Sequence, residues 1–432
     1  MTAYNCYNRL MNIEIQKIVY PGKSFANQNG KVIFTDEGLP GEIVEIKPIR
    51  EKKNYIEAET LNVLNPSKKR ANPLCPHYKI CSPYQYIDYS YQLELKEFQV
   101  KEIFARNLDE DLNDFKIAPS PKIWGYRNKL RLHLLWENNT ASLAYHALEA
   151  HNKFVPIGGC HLASENMNNL FSALIEALNN NKFKFIEEIE IKETTLGRLL
   201  LVIYAKTTVD YKNMNSFIKD IAEISPIDGI IYVAKEKSAE TFLYGKNYIE
   251  EKIDNKIFRI GAQSFFQINA GILKLLIADI KEAVKLRDFK IVADLYCGIG
   301  TFGIIFADKA QKLLGVELLE ENISFLKENI QVNHINNYNL HKGLSEDLIS
   351  EILKEKIDTL IVDPPRKGIG QNICEKLLKA GPKHIFYISC DPVTLARDLK
   401  MLLQKYDLAK VYGYDFFPHT PHIETFTVLD RK

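Results

Sequence analysis

Cys390 closes the apolar run His384-Ile385-Phe386-Tyr387-Ile388-Ser389 and opens Cys390-Asp391-Pro392-Val393-Thr394. A thiol therefore stands at the carboxyl end of a strand, just ahead of a helix that the spacing predicts over 394–400. Such a thiol can be a nucleophile or a small buried hydrophobe, and its company decides which. Asp294-Leu295-Tyr296-Cys297-Gly298-Ile299-Gly300-Thr301-Phe302-Gly303 follows an earlier strand and satisfies G-x-G-x-x-G. Glu317 ends the next strand about 20 residues after the first glycine, where ribose hydroxyls need an acceptor. The pairing fits either a dinucleotide or S-adenosylmethionine. A further strand ends in Asp363-Pro364-Pro365-Arg366-Lys367-Gly368. In an open α/β sheet, ligands lie outside the carboxyl ends of the strands, so Glu317, Asp363 and Cys390 converge on one crevice. A hydride-transfer enzyme has no evident use for the thiol.

The elements that must hold these groups follow from the apolar pattern. From about residue 260 the chain repeats apolar strand, turn and helix, with strands at 291–295, 312–317, 339–342, 359–363 and 384–389 and a helix over 320–334. This predicts a parallel, doubly wound sheet. Residues 12 to about 65 read instead as short alternating strands at 13–15, 31–34, 42–46 and 55–58. Turn signals at Pro21-Gly22, Asn29-Gly30 and Leu39-Pro40-Gly41 separate them, and the spacing predicts a small closed barrel. Residues 47–53 and Lys68-Lys69-Arg70 add positive charge to its later strands and exit. Between barrel and sheet, residues 71–255 mix strands and helices. Over 126–134, alternation puts Arg127, Lys129 and Arg131 on one face and Leu130, Leu132 and Leu134 on the other, which predicts a packed face and a phosphate-facing one.

Bulk properties bound the possibilities. With 432 residues and 46% hydrophobic content the chain is globular and long enough for two or three domains. No apolar run approaches the roughly 18 to 20 residues that span a bilayer, and Met1-Thr2-Ala3-Tyr4-Asn5 lacks a signal-peptide pattern, so a cytoplasmic protein is expected. Seven cysteines, at 6, 75, 81, 160, 297, 374 and 390, form an odd set without disulfide-scaffold spacing, which predicts reduced thiols. A net charge of +1 neither favours nor excludes nucleic acid. No internal repeat or low-complexity segment is present.

Taken together, the ordered segments Ser264-Phe265-Phe266-Gln267-Ile268-Asn269, Asp294 to Gly303, Asp363-Pro364-Pro365-Arg366, Ser389-Cys390-Asp391-Pro392 and Pro418-His419-Thr420-Pro421-His422-Ile423-Glu424 resemble the family of S-adenosylmethionine-dependent RNA uracil-C5 methyltransferases. Residues 12–65 also look like the TRAM barrel that precedes the catalytic unit in many members. The resemblance implies an α/β fold with a class I, Rossmann-like methyltransferase domain over 256–432, a TRAM-like, RNA-binding β-barrel over 1–68 and a mixed α+β central domain over 69–255. It implies Cys390 as nucleophile and Glu424 as the base for the C5 proton. Gln267, Tyr296, Glu317 and Asp363 would line the S-adenosylmethionine site, with Asp363 also near the uracil. Cys297 and Cys374 are left to packing and to no visible role.

The chemistry explains the need for these residues. Uracil C5 is too weak a nucleophile to take a methyl group directly, and thiolate attack at C6 turns it into an enolate carbon. The C5 proton must then leave before the thiol is expelled, and a positioned base is worth roughly 100-fold to 10,000-fold in that step. The base must first be turned out of its stack, so single-stranded RNA segments are the expected substrates, with Phe265 and Phe266 as candidate stacking surfaces. The barrel favours ribosomal over transfer RNA. A nicotinamide-dependent oxidoreductase and a non-catalytic RNA-binding protein are the alternatives. No motif speaks to assembly, and a monomer is expected.

One departure from the family stands out. Many members hold an iron–sulfur cluster on Cys-x5-Cys-x2-Cys and a distant fourth cysteine. Here Cys75, Cys81 and Cys160 match three of these positions, and Tyr84 occupies the remaining one. A substitute ligand such as His77, a different metal, or a metal-free relic are all compatible with three thiols where four are usual.

Overall fold

The computed structural model describes residues 10–108, 110–146, 154–206, 214–223, 227–236 and 239–432; Cys6 and residues 1–5 lie outside them. The N-terminal part is a six-stranded sheet in the spatial order Met11–Glu14, Ile43–Glu51, Tyr55–Val63, Lys31–Thr35, Lys23–Gln28, Lys17–Val19. Alternation turns Ile13, Ile33, Val44, Ile46 and Ile56 into one small core. The two edge strands are joined by only residues 15 and 16, whose amides donate to Glu42 O and Phe25 O at 2.9 Å. The sheet thus curls back on itself through its own chain, as a barrel must to remove its edges. The hairpin Lys17–Val19 to Lys23–Gln28 escapes the sequence pattern because its strands are short and mostly polar.

In the middle of the chain a seven-stranded sheet runs Phe154–Pro156, Thr140–His146, Lys129–Glu137, Ile186–Glu193, Leu199–Ala205, Ile227–Ala234, Ala239–Gly245. One face packs on helices Glu165–Asn181 and Asn215–Ala222, with Leu130 and Leu132 buried as their alternation predicts. The predicted basic face is a correction. Lys129 and Arg131 are neutralised by Glu190 and Glu188 from the adjacent Ile186–Glu193, and Arg127 lies outside the strand, so no free row of cations faces solvent.

The C-terminal sheet has the order Tyr338–Lys342, Lys312–Glu317, Ile291–Leu295, Thr359–Val362, His384–Ser389, Glu424–Arg431, Tyr406–Tyr414, Ile117–Ala118. The first five are parallel, and the four inside the edge strand Tyr338–Lys342 are buried on both faces, which is why those four read as continuous apolar runs. Val292, Leu313 and Ile361 face one apolar layer, while Ala293, Leu314 and Leu360 face the other. The five strands predicted as a parallel sheet are parallel, and the sheet is extended by a reversed strand, because Glu424–Arg431 runs antiparallel to both neighbours. That reversal brings residue 424 to the rim where the parallel strands end.

Helix Tyr89–Leu108 joins the parts. Its fully buried Lys96 pairs with fully buried Asp415 at 2.6 Å and donates to Phe417 O at 3.2 Å. Burial pulls the ammonium below its usual pKa and Asp415 pulls it back up. A turn earlier, the Gln92 amide donates to His419 Nδ1 (3.0 Å) and its oxygen accepts the His419 N–H (2.9 Å). Lys96→Met would leave the Asp415 carboxylate buried without its cation. We expect it to lower the unfolding free energy by about 3–5 kcal/mol in urea denaturation; a loss below about 1 kcal/mol would show that the pair is not what holds this joint.

Candidate active site

The glycine-rich turn is built by backbone that few residues tolerate. Tyr296, Gly298 and Gly300 have φ of 61°, 57° and 89°. A Cβ on Gly300 would also come within 2.4 Å of Leu326, so this position admits only glycine. Asp294, 1% exposed, accepts the Gly303 N–H at 3.0 Å and closes the turn. Burial, then Asp363 and Glu317, push its pKa up to about 8. Glu317 accepts Gly298 N–H at 2.9 Å with one oxygen, and Leu318 and Leu319 N–H at 2.8 Å with the other.

Two buried polar atoms at this turn, Asp294 Oδ1 and Tyr296 Oη, have no partner within the protein. Together with the carboxylate of Glu317, they fit a ligand carrying hydroxyl and amino groups, such as the nucleoside and amino-acid ends of S-adenosylmethionine.

Asp363, just beyond Thr359–Val362, accepts a hydrogen bond from Gln267 Nε2 at 3.0 Å. Gln267 is held by Asn128, whose side chain donates to the Gln267 carbonyl at 2.8 Å. Upstream, the buried Lys192 donates to the carbonyls of Gly261 and Ser264 at 2.7 and 2.9 Å. Phe265 is 61% exposed beside this segment, whereas Phe266 sits in the core, so only Phe265 is free to stack on a base.

Cys390 follows Ser389, which pairs in register with Thr425, and Glu424 precedes Thr425. Thr425 Oγ1 donates to Ser389 O at 3.2 Å, so Cys390 and Glu424 stand just beyond the same final rung, close enough for the carboxylate to act on the thiol. Asp391 caps the helix Pro392–Leu402, accepting Val393 and Thr394 N–H at 2.9 Å. Burial, then Glu424 and Asp363, push the Cys390 thiol up to about 12, with Arg366 opposing. Burial and then Asp363 push Glu424 well above the usual carboxylate range, and burial raises Asp363 to about 7. The structure thus gathers Cys390, Glu424, Asp363 and Gln267 into one linked set, with Tyr296 and Glu317 at the adjoining turn. Sequence reasoning missed Asn128, Lys192 and Tyr20, the last donating to Asp391 at 3.3 Å. A buried lysine in a mid-sheet strand is the one local signal that could have marked Lys192.

The remaining cysteines divide clearly. Cys297 and Cys374 are buried in the two apolar layers. Burial raises Cys81, the Ser82 hydroxyl lowers it, and the neighbouring Cys160, Arg127 and Cys75 contribute in turn. Tyr145 Oη donates to Cys160 Sγ at 3.8 Å. Tyr84 is fully buried, and its hydroxyl accepts from Gln99 at 3.1 Å. His77 is lowered by burial and by His161. Among the described residues no three His, Cys, Asp or Glu side chains are arranged to hold a metal ion. The residues present therefore do not fit a four-thiolate cluster.

Comparison with known proteins agrees with the geometry. The family model described as tRNA (Uracil-5-)-methyltransferase matches residues 88–432. An uncharacterized RNA methyltransferase from Clostridium acetobutylicum is 30% identical over 98% of this chain and 98% of its own, and one from Bacillus cereus is 30% identical over 98% and 97%. The crystal structure of Pyrococcus abyssi tRNA (uracil-54, C5)-methyltransferase in complex with S-adenosyl-L-homocysteine superposes with a TM-score of 0.76 at 25% identity, covering 97% of this chain and 99% of that one.

The charge arrangement makes its own prediction. Glu424→Gln removes the carboxylate that most opposes a Cys390 thiolate, so iodoacetamide at about pH 9 should alkylate Cys390 roughly tenfold faster, followed by peptide mass spectrometry. A rate at or below wild type would show that burial alone sets the thiol.

Proposed function

The chain belongs to the tRNA (uracil-5-)-methyltransferase family, and from that premise we propose how this S-adenosylmethionine-dependent RNA uracil-C5 methyltransferase works and on which RNA. Family membership sets aside the nicotinamide and non-catalytic alternatives. The Cys390 thiolate adds to C6 of an everted uridine, and the electron pair displaced from the C5–C6 double bond makes C5 nucleophilic. Gln267, Tyr296, Glu317 and Asp363 would hold S-adenosylmethionine, which would supply C5 with an electrophilic methyl group, leaving as S-adenosylhomocysteine, and before that a positive charge to offset the carboxylates that repel the thiolate. Glu424 then takes the C5 proton, the double bond re-forms and the thiolate leaves. What supports this reading is that Cys390 and Glu424 flank the last rung between their strands, Ser389–Thr425, with the charges of Glu424 and Asp363 felt at the thiol in a desolvated crevice.

We propose ribosomal RNA as substrate, with transfer RNA, the substrate named for the Pyrococcus abyssi enzyme, as the alternative; the six-stranded sheet does not separate the two, because that enzyme superposes over 97% of this chain and so has its counterpart. We divide the chain into an RNA-binding barrel over 1–68, a central domain over 69–255 and the methyltransferase domain over 256–432. We place it in the cytoplasm as a monomer; among the described residues no helix is long and apolar enough to cross a membrane.

In a deletion strain, the wild-type gene should restore a 5-methyluridine in large-subunit ribosomal RNA, mapped in total RNA. Cys390→Ala should restore none. Glu424→Gln should accumulate protein covalently joined to RNA on denaturing gels, because elimination stalls. Methylation by Cys390→Ala would overturn the covalent mechanism, and a restored site in transfer RNA would overturn the substrate.

For the cysteine segment we propose a metal-free thiol cluster around Arg127 in place of a four-iron cluster. Protein purified without oxygen should then carry far less iron and acid-labile sulfide than one cluster per chain; stoichiometric amounts of both would overturn this.

A further inference from the structure

The turn that joins the first hairpin of the N-terminal sheet reaches the catalytic crevice. Gly22, at φ 97°, lies so close to the 418–422 segment that a Cβ there would come within 2.8 Å of Pro421 and 3.2 Å of Tyr84. The turn is closed by Gly22 N–H donating to Val19 O at 2.7 Å. It is anchored from behind by helix Tyr89–Leu108, where Gln99 donates to Ile18 O at 3.2 Å and Glu102 pairs with Lys17. Tyr20 is thereby driven into the apolar layer of the C-terminal sheet, and its hydroxyl donates to Asp391 Oδ2 at 3.3 Å. The opposite oxygen, Oδ1, is committed to capping the helix that starts after the thiol. Cys390 and Arg366 lie within electrostatic range of the Tyr20 hydroxyl.

We propose that Tyr20, from the N-terminal sheet, is a positioning residue for the Cys390 nucleophile: it holds Asp391 so that one carboxylate oxygen caps the helix while the other is fixed by the Tyr20 hydroxyl. The backbone between a strand end and a helix cap sets the direction of the Cys390 side chain. A carboxylate fixed by three donors leaves that segment little freedom. The donated hydrogen bond also screens the Asp391 carboxylate, whose charge lies within range of the preceding thiol. The N-terminal sheet is in this view a wall of the active site as well as an RNA-binding attachment. The inference rests on Cys390 being the nucleophile.

The test is steady-state kinetics of full-length Tyr20→Phe, Asp391→Asn and the double variant on in vitro transcribed target RNA, with Cys390→Ala alongside. Tyr20→Phe keeps the ring and its packing and loses only the donor. It should lower kcat about tenfold while KM for RNA stays within about twofold, the expected size for one hydrogen bond to a charged group. In the Asp391→Asn background the same substitution should cost less than about twofold, because its partner is already altered. Wild-type kcat in Tyr20→Phe, a change confined to KM, or effects that multiply in the double variant would each overturn the proposal. Should Tyr20→Phe melt early, the non-multiplying pair is read at a temperature where all variants are folded. Inactive Cys390→Ala with a normal Tyr20→Phe sinks this inference alone; active Cys390→Ala sinks the mechanism beneath it.

Discussion

A lysine and an aspartate, both without solvent contact, meet 2.6 Å apart between helix Tyr89–Leu108 and the end of strand Tyr406–Tyr414. Neither charge could be buried alone, so the position of the helix and the path of the chain after residue 414 are settled together. Much else hangs from that joint. The same helix grips His419 through Gln92, Tyr84 and Ile18 through Gln99, and Lys17 through Glu102. One helix therefore registers the N-terminal sheet, the cysteine segment and the strand that begins with Glu424 against one another.

The crevice that results is desolvated and crowded with acids. Burial raises all three acids, Asp363 adds to the rise at Glu424, and Glu424 and Asp363 add to the rise at Cys390, so each group holds its proton more firmly than it would in water. This suits a reaction that starts by making a thiolate only when a cationic methyl donor and a base are in place, and ends by moving a proton onto a carboxylate that binds it readily.

Much of this was legible in the sequence wherever one local pattern carried the signal. Buried parallel strands are uninterrupted apolar runs, so 291–295, 312–317 and 384–389 coincide with the observed strands. The final reversed strand was harder, because Glu424 opens it inside a motif whose chemistry masks its periodicity. The cations at 129 and 131 misled because their neutralising carboxylates sit on another strand more than 50 residues away. For the same reason Tyr20, Asn128 and Lys192 were hard to single out: each acts on a segment 69 or more residues distant, through contacts that only the assembled fold creates.

The rung that sets Ser389 opposite Thr425 has an evolutionary consequence. Neighbouring strands keep a spacing of about 4.7–4.9 Å whatever the loops do, so the sheet acts as a fixed caliper for the thiol and carboxylate that flank this rung. By contrast, Asp415, His419 and the N-terminal turn are tied to the same helix that frames the crevice, so a change made there to embrace a different RNA is felt beside the reacting groups. Target choice and bond-making chemistry are thus linked traits of this scaffold, constrained to drift together.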